Sequence, residues 1–327
     1  MRASFQHVRP SDTFGRGAQF LARVFIAGEL MLAVVVIVEE FDAEIRGWGI
    51  GMMAALGSCG GGLAAIIFSV VNVLPFGWRA LYVVGIVPLL LIAWFRRTLR
   101  ETRRFERHRQ GRPAAFGLRA ALQPFRGLAR MYPGRVLALC ASLLPVAFVF
   151  ETSALFVSKF LQEVHQYSPA NVALMYLTIG GLGPIGSVVA GRLGDRFGRK
   201  RIIIAGLLGC AAAVACFYNA SGICVPMAWG FMVMTGTIVL VLFAALGGEL
   251  FPTSYRSTAS GVRAVVGTLS AALGLWTEGR LYGVVGSHAA AITLMLVVLP
   301  LAPLIIAFAL PETAARELED IAPERPG

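Results

Sequence analysis

The sequence predicts an all-α fold, a polytopic bundle of about nine helices that cross a membrane. Of the 327 residues, 57% are hydrophobic and 14% are charged, whereas a soluble domain carries about 25% charged residues. Long stretches contain no Asp, Glu, Lys or Arg, and each exceeds the roughly 20 apolar residues that a spanning helix needs. These stretches are 47–78, 164–191, 202–248 and 281–311.

The spans are predicted as helices because lipid leaves few alternatives. An open sheet would leave backbone groups unpaired in the bilayer, and the strands of a membrane barrel alternate apolar and polar residues. Here nearly every residue of each span is apolar. The predicted spans are 21–39, 49–72, 79–95, 135–158, 168–191, 202–219, 225–248, 259–283 and 287–310.

The positive charge of the chain is concentrated in one segment. The formal net charge is +11, and residues 96–135 carry +10 of it through twelve Arg and two Glu. A basic loop between two membrane spans is typical of the cytoplasmic side. The distribution therefore argues against a nucleic-acid-binding surface, and no nucleic acid is predicted as a partner.

Alternate loops are rich in arginine and lysine, which predicts the orientation of the chain. The rich segments are 96–135, 192–201, 256–263 and the tail after 311, and the loops between them hold only Arg79, Lys159 and Arg280. The rich set is expected inside, so we predict a multi-pass protein of the plasma (cytoplasmic or inner) membrane with a cytoplasmic C-terminus. Nine crossings place the N-terminus outside, which conflicts with Arg2, Arg9 and Arg16.

An internal repeat relates the first three predicted spans to the last three. Each copy has a Glu, six residues, an Arg, four residues and a Gly, and the two copies lie 210 residues apart. The matching residues are Glu39, Arg46 and Gly51 in the first copy and Glu249, Arg256 and Gly261 in the second. Repeats of this kind are typical of secondary transporters.

The most informative motif lies between the fifth and sixth predicted spans, at 191–201. It combines Gly191, Gly194 and Gly198 with Asp195 among arginines and a lysine. Glycine lets helices approach closely, and a carboxylate can cap the N-terminus of a neighbouring helix. A basic loop alone would explain the cations but not the carboxylate or the spaced glycines.

This segment resembles the signature loop of the major facilitator superfamily, which lies between helices two and three and again between helices eight and nine. The two Glu–Arg elements are similar to those of its sugar-porter and metabolite–proton symporter branches. Further similarity lies in Trp78-Arg79-Ala80-Leu81-Tyr82, Arg100-Glu101-Thr102 and Pro311-Glu312-Thr313. The resemblance covers about residues 19–320.

The resemblance implies a twelve-helix fold truncated to about nine transmembrane helices. A first copy of the signature loop would fall before Met1, so helices one to three are expected to be missing and the N-terminal arginines to have been exposed by truncation. The implied parts are a polar segment 1–20, helices four to six at 21–95, a basic cytoplasmic loop 96–134, a six-helix half at 135–310 and a cytoplasmic tail 311–327.

The resemblance also implies a cytoplasmic gate, in which charges hold helix ends together when the inner side is closed. The residues that it assigns to this gate are Gly191, Gly194, Asp195, Arg196, Gly198, Arg199, Glu39, Arg46, Glu249 and Arg256.

Ionisable residues inside predicted spans are candidates for a substrate or proton pathway. Glu29 and Glu151 lie in the first and fourth spans, and the resemblance places those helices close to the central pathway. For Glu29, a structural partnership with Arg23 is an open alternative. Glu278 and Arg23 lie near the outer ends of their spans, where snorkelling to the interface competes with a pathway role.

The predicted function is secondary active transport of a small solute, an organic acid, sugar or similar metabolite, coupled to protons by alternating access. Expected partners are the lipid bilayer, the small-molecule substrate and protons, and the oligomeric state is left open. The sequence has no GxxxxGK[ST] loop for ATP, no catalytic triad and no metal-ligand spacing among its cysteines. We therefore predict no enzyme activity, no cofactor and no metal. The alternative is a truncated membrane fragment that transports nothing.

Overall fold

The described N-terminal part of the chain is mostly helical, with a short turn over 41–45. The structure is a computed structural model, and the described residues are 25, 28–69, 78–96 and 118–323. Three helices cover the first predicted spans: α1 over 28–40, α2 over Arg46–Ser69 and α3 over Trp78–Arg96. Arg23, the polar segment 1–20 and residues 97–117 of the basic loop lie outside the described residues.

The rest of the chain forms ten further helices in the described part, and a 3-10 turn over Leu296–Val298 joins two of them. They are α4 Leu118–Met131, α5 Pro133–Glu163, α6 Pro169–Thr178, α7 Leu182–Phe197, α8 Arg199–Asn219, α9 Cys224–Glu249, α10 Thr253–Val285, α11 His288–Met295, α12 Leu301–Ala309 and α13 Leu318–Ile321. Within the described residues, six helical stretches are long and apolar enough to cross a membrane, and α3 contains the shorter apolar helix Val83–Phe95. The predicted membrane helix bundle is confirmed.

Several helices differ from the predicted bounds. Helix α10 begins at Thr253 instead of 259 and α7 continues to Phe197 instead of 191, because backbone hydrogen bonds extend a helix beyond its apolar part. The predicted single helix 168–191 is divided at Gly180 and Gly181, residues that cost about 1 kcal/mol each in a helix interior.

Helices α2 and α7 pack at close backbone distance. A methyl group added at Gly51 would overlap the carbonyl oxygen of Ser187, and one added at Gly191 would overlap the carbonyl oxygen of Gly47. Small residues at every fourth position on both helices permit this approach. The contact joins the first repeat to the C-terminal six helices, because α7 also packs on α8 and α9.

The segment after α12 folds back on one end of the bundle. Thr313, Leu318 and Ile321 are buried, and Leu318 packs in an apolar cluster with Val34 and Val38 of α1. The backbone carbonyl of Ile321 accepts a hydrogen bond of 2.8 Å from the Nη2 atom of Arg135. The described part of the predicted tail is thus packed against the helix ends.

Candidate functional site

The two Glu–Arg elements of the repeat form ion pairs with each other at one end of the bundle. Arg256 of the second element lies with its Nη1 atom 2.7 Å from the Oε1 atom of Glu39 in the first. The Nη1 atom of Arg46 in the first element lies 3.9 Å from the Oε1 atom of Glu249 in the second. All four residues are buried, with exposed fractions of 7% or less. The Glu of each copy therefore pairs with the Arg of the other copy.

Arg199 connects this pairing to the signature loop. Its Nε atom lies 2.9 Å from the Oε2 atom of Glu249, and its Nη1 atom lies 2.7 Å from the Oδ1 atom of Asp195. Arg199 is fully buried at the first residue of α8. We refer to the six residues Glu39, Arg46, Asp195, Arg199, Glu249 and Arg256 as the charged network, and to their side of the bundle as the charged end.

Asp195 also binds the N-terminus of α2. Its two carboxylate oxygens accept hydrogen bonds from the backbone N–H groups of Gly47, at 2.9 Å, and Trp48, at 2.7 Å. The first N–H groups of a helix have no partner within the helix, and the helix dipole favours a negative charge there. Asp195 thus links α7, α8 and α2 through one carboxylate.

Two residues of the packed-back segment complete the charged end. Glu312 accepts hydrogen bonds from the backbone N–H groups of Arg199, at 2.9 Å, and Lys200, at 3.1 Å, and so caps α8. Thr313 donates a hydrogen bond of 2.6 Å from its hydroxyl to the Oε2 atom of Glu249. The sequence reasoning used Pro311-Glu312-Thr313 only as a family marker and missed both contacts.

The predicted glycines lie beside the network at points of close contact. Gly198 has a φ of +101°, where a side chain is strained, and a Cβ there would lie 2.7 Å from the Oε2 atom of Glu312. At Gly194 an added methyl group would overlap Leu242 of α9. Gly198 therefore requires glycine for its backbone conformation, whereas a side chain at Gly194 would force Leu242 to move.

Arg196 lies outside the charged network. Its guanidinium lies 5.3 Å from the centre of the Phe197 ring, and its side chain lines a cleft of about 660 Å³ with Glu44 and Arg192. The sequence prediction groups Arg196 with the gate. One residue after Asp195, its side chain points to another face of the helix, but Asp195 lines the same cleft.

The predicted pathway residues that the structure describes lie on three helices, α1, α5 and α10. Glu29 of α1 and Glu151 of α5 are both exposed. Glu278 is only 2% exposed, and of the two roles left open for it, this burial disfavours snorkelling to the interface. Its Oε1 atom lies 2.5 Å from the Nδ1 atom of His288, whose Nε2 atom lies 2.8 Å from the Nζ atom of Lys159. This group links α10, α11 and α5 at the end opposite the charged network.

The structure also corrects the position of Arg263. It was counted in the arginine-rich segment 256–263, which overlaps the predicted span 259–283, and it lies inside α10, ten residues after Thr253. Its Nη2 atom lies 3.1 Å from the sulfur of Met31 in α1. Its stem passes Gly247, where an added Cβ would lie 3.3 Å from the Arg263 Cδ atom.

Comparisons with known proteins identify the family of this architecture. The model of the Major Facilitator Superfamily matches residues 17–275 and 184–324. The chain is 28% identical over 259 residues to a Cupriavidus pinatubonensis protein named "Probable 4-methylmuconolactone transporter", covering 76% of this chain and 58% of the relative. It is 26% identical over 224 residues to the shikimate transporter of Escherichia coli, covering 66% of this chain and 49% of that protein. It therefore spans about half the length of these two relatives.

A solved structure shares the fold. A proton:xylose symporter of the superfamily, bound to 6-bromo-6-deoxy-D-glucose, matches with a TM-score of 0.72 and 20% identity, covering 89% of this chain and 70% of that one. The two curated relatives are named as transporters rather than enzymes. The match of the family model to most of the chain, together with this fold, shows that the protein is a multi-pass membrane protein that belongs to the Major Facilitator Superfamily.

Proposed function

We propose that the chain is a secondary active transporter that moves a small solute by alternating access, coupled to protons. The observation that carries the proposal is the charged network. It joins the first repeat to the C-terminal helices through buried ion pairs that can exist in two states, formed or broken. A solute that binds one state better than the other shifts the equilibrium between them.

We further propose that the charged network is the cytoplasmic gate. This assignment rests on the arginine-rich loops, which favour a cytoplasmic charged end and C-terminus. In this arrangement 21–95 and 135–310 act as the two moving parts, and their separation at the charged end opens the inner side. A plasma (inner) membrane location follows from the same loops.

The relatives support a small organic solute as cargo. One is named for 4-methylmuconolactone and one for shikimate, and the superfamily member that shares the fold is a proton:xylose symporter. An organic acid is the class that the two curated relatives favour.

Flux into proteoliposomes tests transport directly. The full chain is reconstituted and given radiolabelled shikimate, benzoate, lactate or xylose, each with and without a pH gradient. We expect flux that the gradient increases, and loss of flux in Glu249→Gln, which breaks the network. Glu163→Gln, an exposed position at the opposite end, is the matched control. If shikimate, benzoate, lactate and xylose all fail to cross in any gradient, the transport proposal is wrong and the non-transporting alternative gains support.

Proton coupling is tested at the two exposed carboxyls inside the helices. If Glu29 or Glu151 carries the proton, its Gln variant should retain exchange of solute across the membrane without a gradient but lose accumulation driven by pH. Wild-type accumulation in both variants would exclude these residues as proton carriers.

A further inference from the structure

Arg263 differs from the other buried arginines in its surroundings. Arg46, Arg199 and Arg256 each have a carboxylate within 4.0 Å. Among the described residues Arg263 has none, and its polar contact is the Met31 sulfur, which is a weak acceptor. A partly buried guanidinium in a membrane span without a counter-charge is costly, and such residues mark substrate pathways.

The position of Arg263 places it beside the gate but not in it. It lies seven residues after Arg256 on α10, roughly 10 Å further from the charged end. Its side chain reaches across to Met31 of α1 and passes Gly247 of α9. The guanidinium therefore lies between the first repeat and the C-terminal helices, the two parts that alternating access would separate.

The repeat distinguishes Arg263 from the network as well. The four charges of the Glu–Arg elements occur in both copies, at 39 and 249 and at 46 and 256, but the position 210 residues before Arg263 is Met53. Arg263 is therefore not part of the Glu–Arg element that the two copies share. A cation that is present in one copy only can bind a ligand whose charge lies at one end.

We propose that Arg263 is the binding site for the carboxylate of the transported solute, so that the cargo class is a small organic acid. The inference rests on the proposed transport function and specifies its substrate. The planar guanidinium presents paired N–H donors that match a carboxylate, and an incoming carboxylate would replace the weak contact with Met31 and supply the missing counter-charge.

Equilibrium binding tests this site without depending on flux. The full chain is placed in zwitterionic nanodiscs, and the dissociation constants of shikimate, benzoate and lactate are compared with those of their methyl esters. We expect at least one acid to bind roughly tenfold to a hundredfold more tightly than its ester, the effect of one hydrogen bond to a charged group. Arg263→Gln should abolish this preference and Arg263→Lys should keep part of it.

Two control variants test whether the preference depends on Arg263 itself, rather than on positive charge in the helix or on folding. Arg280→Gln removes an exposed cation of the same helix and should keep the preference. A loss of folding in Arg263→Gln would also remove the preference, so Met31→Leu provides a second variant, which loses the sulfur contact, keeps the cation and should keep the preference. The proposal is overturned if no acid binds better than its ester, if Arg263→Gln keeps the preference, or if phosphatidylglycerol in the nanodiscs abolishes acid binding by occupying the site. Gradient-driven flux of a neutral solute with no acid preference would leave the transport proposal intact and overturn only this one.

Discussion

Glu249 is the residue on which the charged network converges. Its carboxylate contacts Arg199, Arg46 and the hydroxyl of Thr313, and its side chain is fully buried. Removing one partner of a buried ion pair leaves an uncompensated charge in a medium that solvates it poorly. Loss of one charge should therefore destabilise the remaining ion pairs of the network. The proposed gate needs this property in order to open in one step.

The pair between Glu39 and Arg256 should contribute to stability in the same way. Glu39→Gln leaves the guanidinium of Arg256 without its 2.7 Å carboxylate partner, and we expect a loss of about 3 kcal/mol in the free energy of unfolding. Titration with a denaturing detergent measures this. Glu44→Gln, an exposed glutamate five residues later, should change the value by less than about 0.5 kcal/mol. Equal effects of the two substitutions would show that the pair contributes nothing.

Sequence reasoning reached some of these residues and missed others for physical reasons. Asp195 was recognisable because a carboxylate among cations needs a partner, and the N-terminus of α2 provides it. Arg263 was missed because it was counted with the arginine-rich segment 256–263, although the predicted span 259–283 overlaps that segment and contains it. In the structure, Arg263 lies ten residues inside the helix that begins at Thr253, and its side chain reaches Met31 of α1.

At the scale of elements, helix contacts depend on glycines and on carboxylate caps. Apolar stretches predicted the helices well because lipid forces each span to satisfy its own backbone. They could not predict that α7 would approach α2 through Gly191 and Gly47, because many glycines in spans make no close contact. Nor could they predict the fold of the segment after α12, whose burial depends on partners far away in sequence.

Substitution at Gly51 should separate α2 from α7. Leucine there would overlap the Ser187 carbonyl, and we expect a loss of about 3 kcal/mol or more in the free energy of unfolding. Gly60 of the same helix has no atom within 4 Å of an added Cβ, so Gly60→Leu is the matched control. The close-packing account fails if the two variants have the same unfolding midpoint in a denaturing detergent.

The cap on α8 should be visible in hydrogen exchange. Glu312→Ala removes the acceptor for the N–H groups of Arg199 and Lys200, so peptides that contain these residues should exchange faster. The cost of losing such a cap is about 1 kcal/mol, or roughly a fivefold change in exchange. Glu163→Ala serves as the control, and unchanged exchange at 199–200 would rule out the cap.

At the scale of the whole molecule, the two copies of the repeat are joined by ion pairs at the charged end. The 210-residue repeat predicted that two elements would share a role, but it could not predict that each Glu would pair with the Arg of the other copy. Pairing within a copy was equally compatible with the sequence. The cross-pairing makes the two moving parts of the proposed transporter depend on each other at the charged end.

The most direct test of this account is the distance between the two parts. Spin labels are placed at Ile45 and Ser257, exposed positions next to Arg46 and Arg256, after replacement of the five native cysteines. Double electron–electron resonance should show mainly one short distance with the network intact. It should show an added longer population in the double variant Glu39→Gln and Glu249→Gln. An unchanged distance distribution in that variant would contradict the central claim that the charged network holds the two parts together.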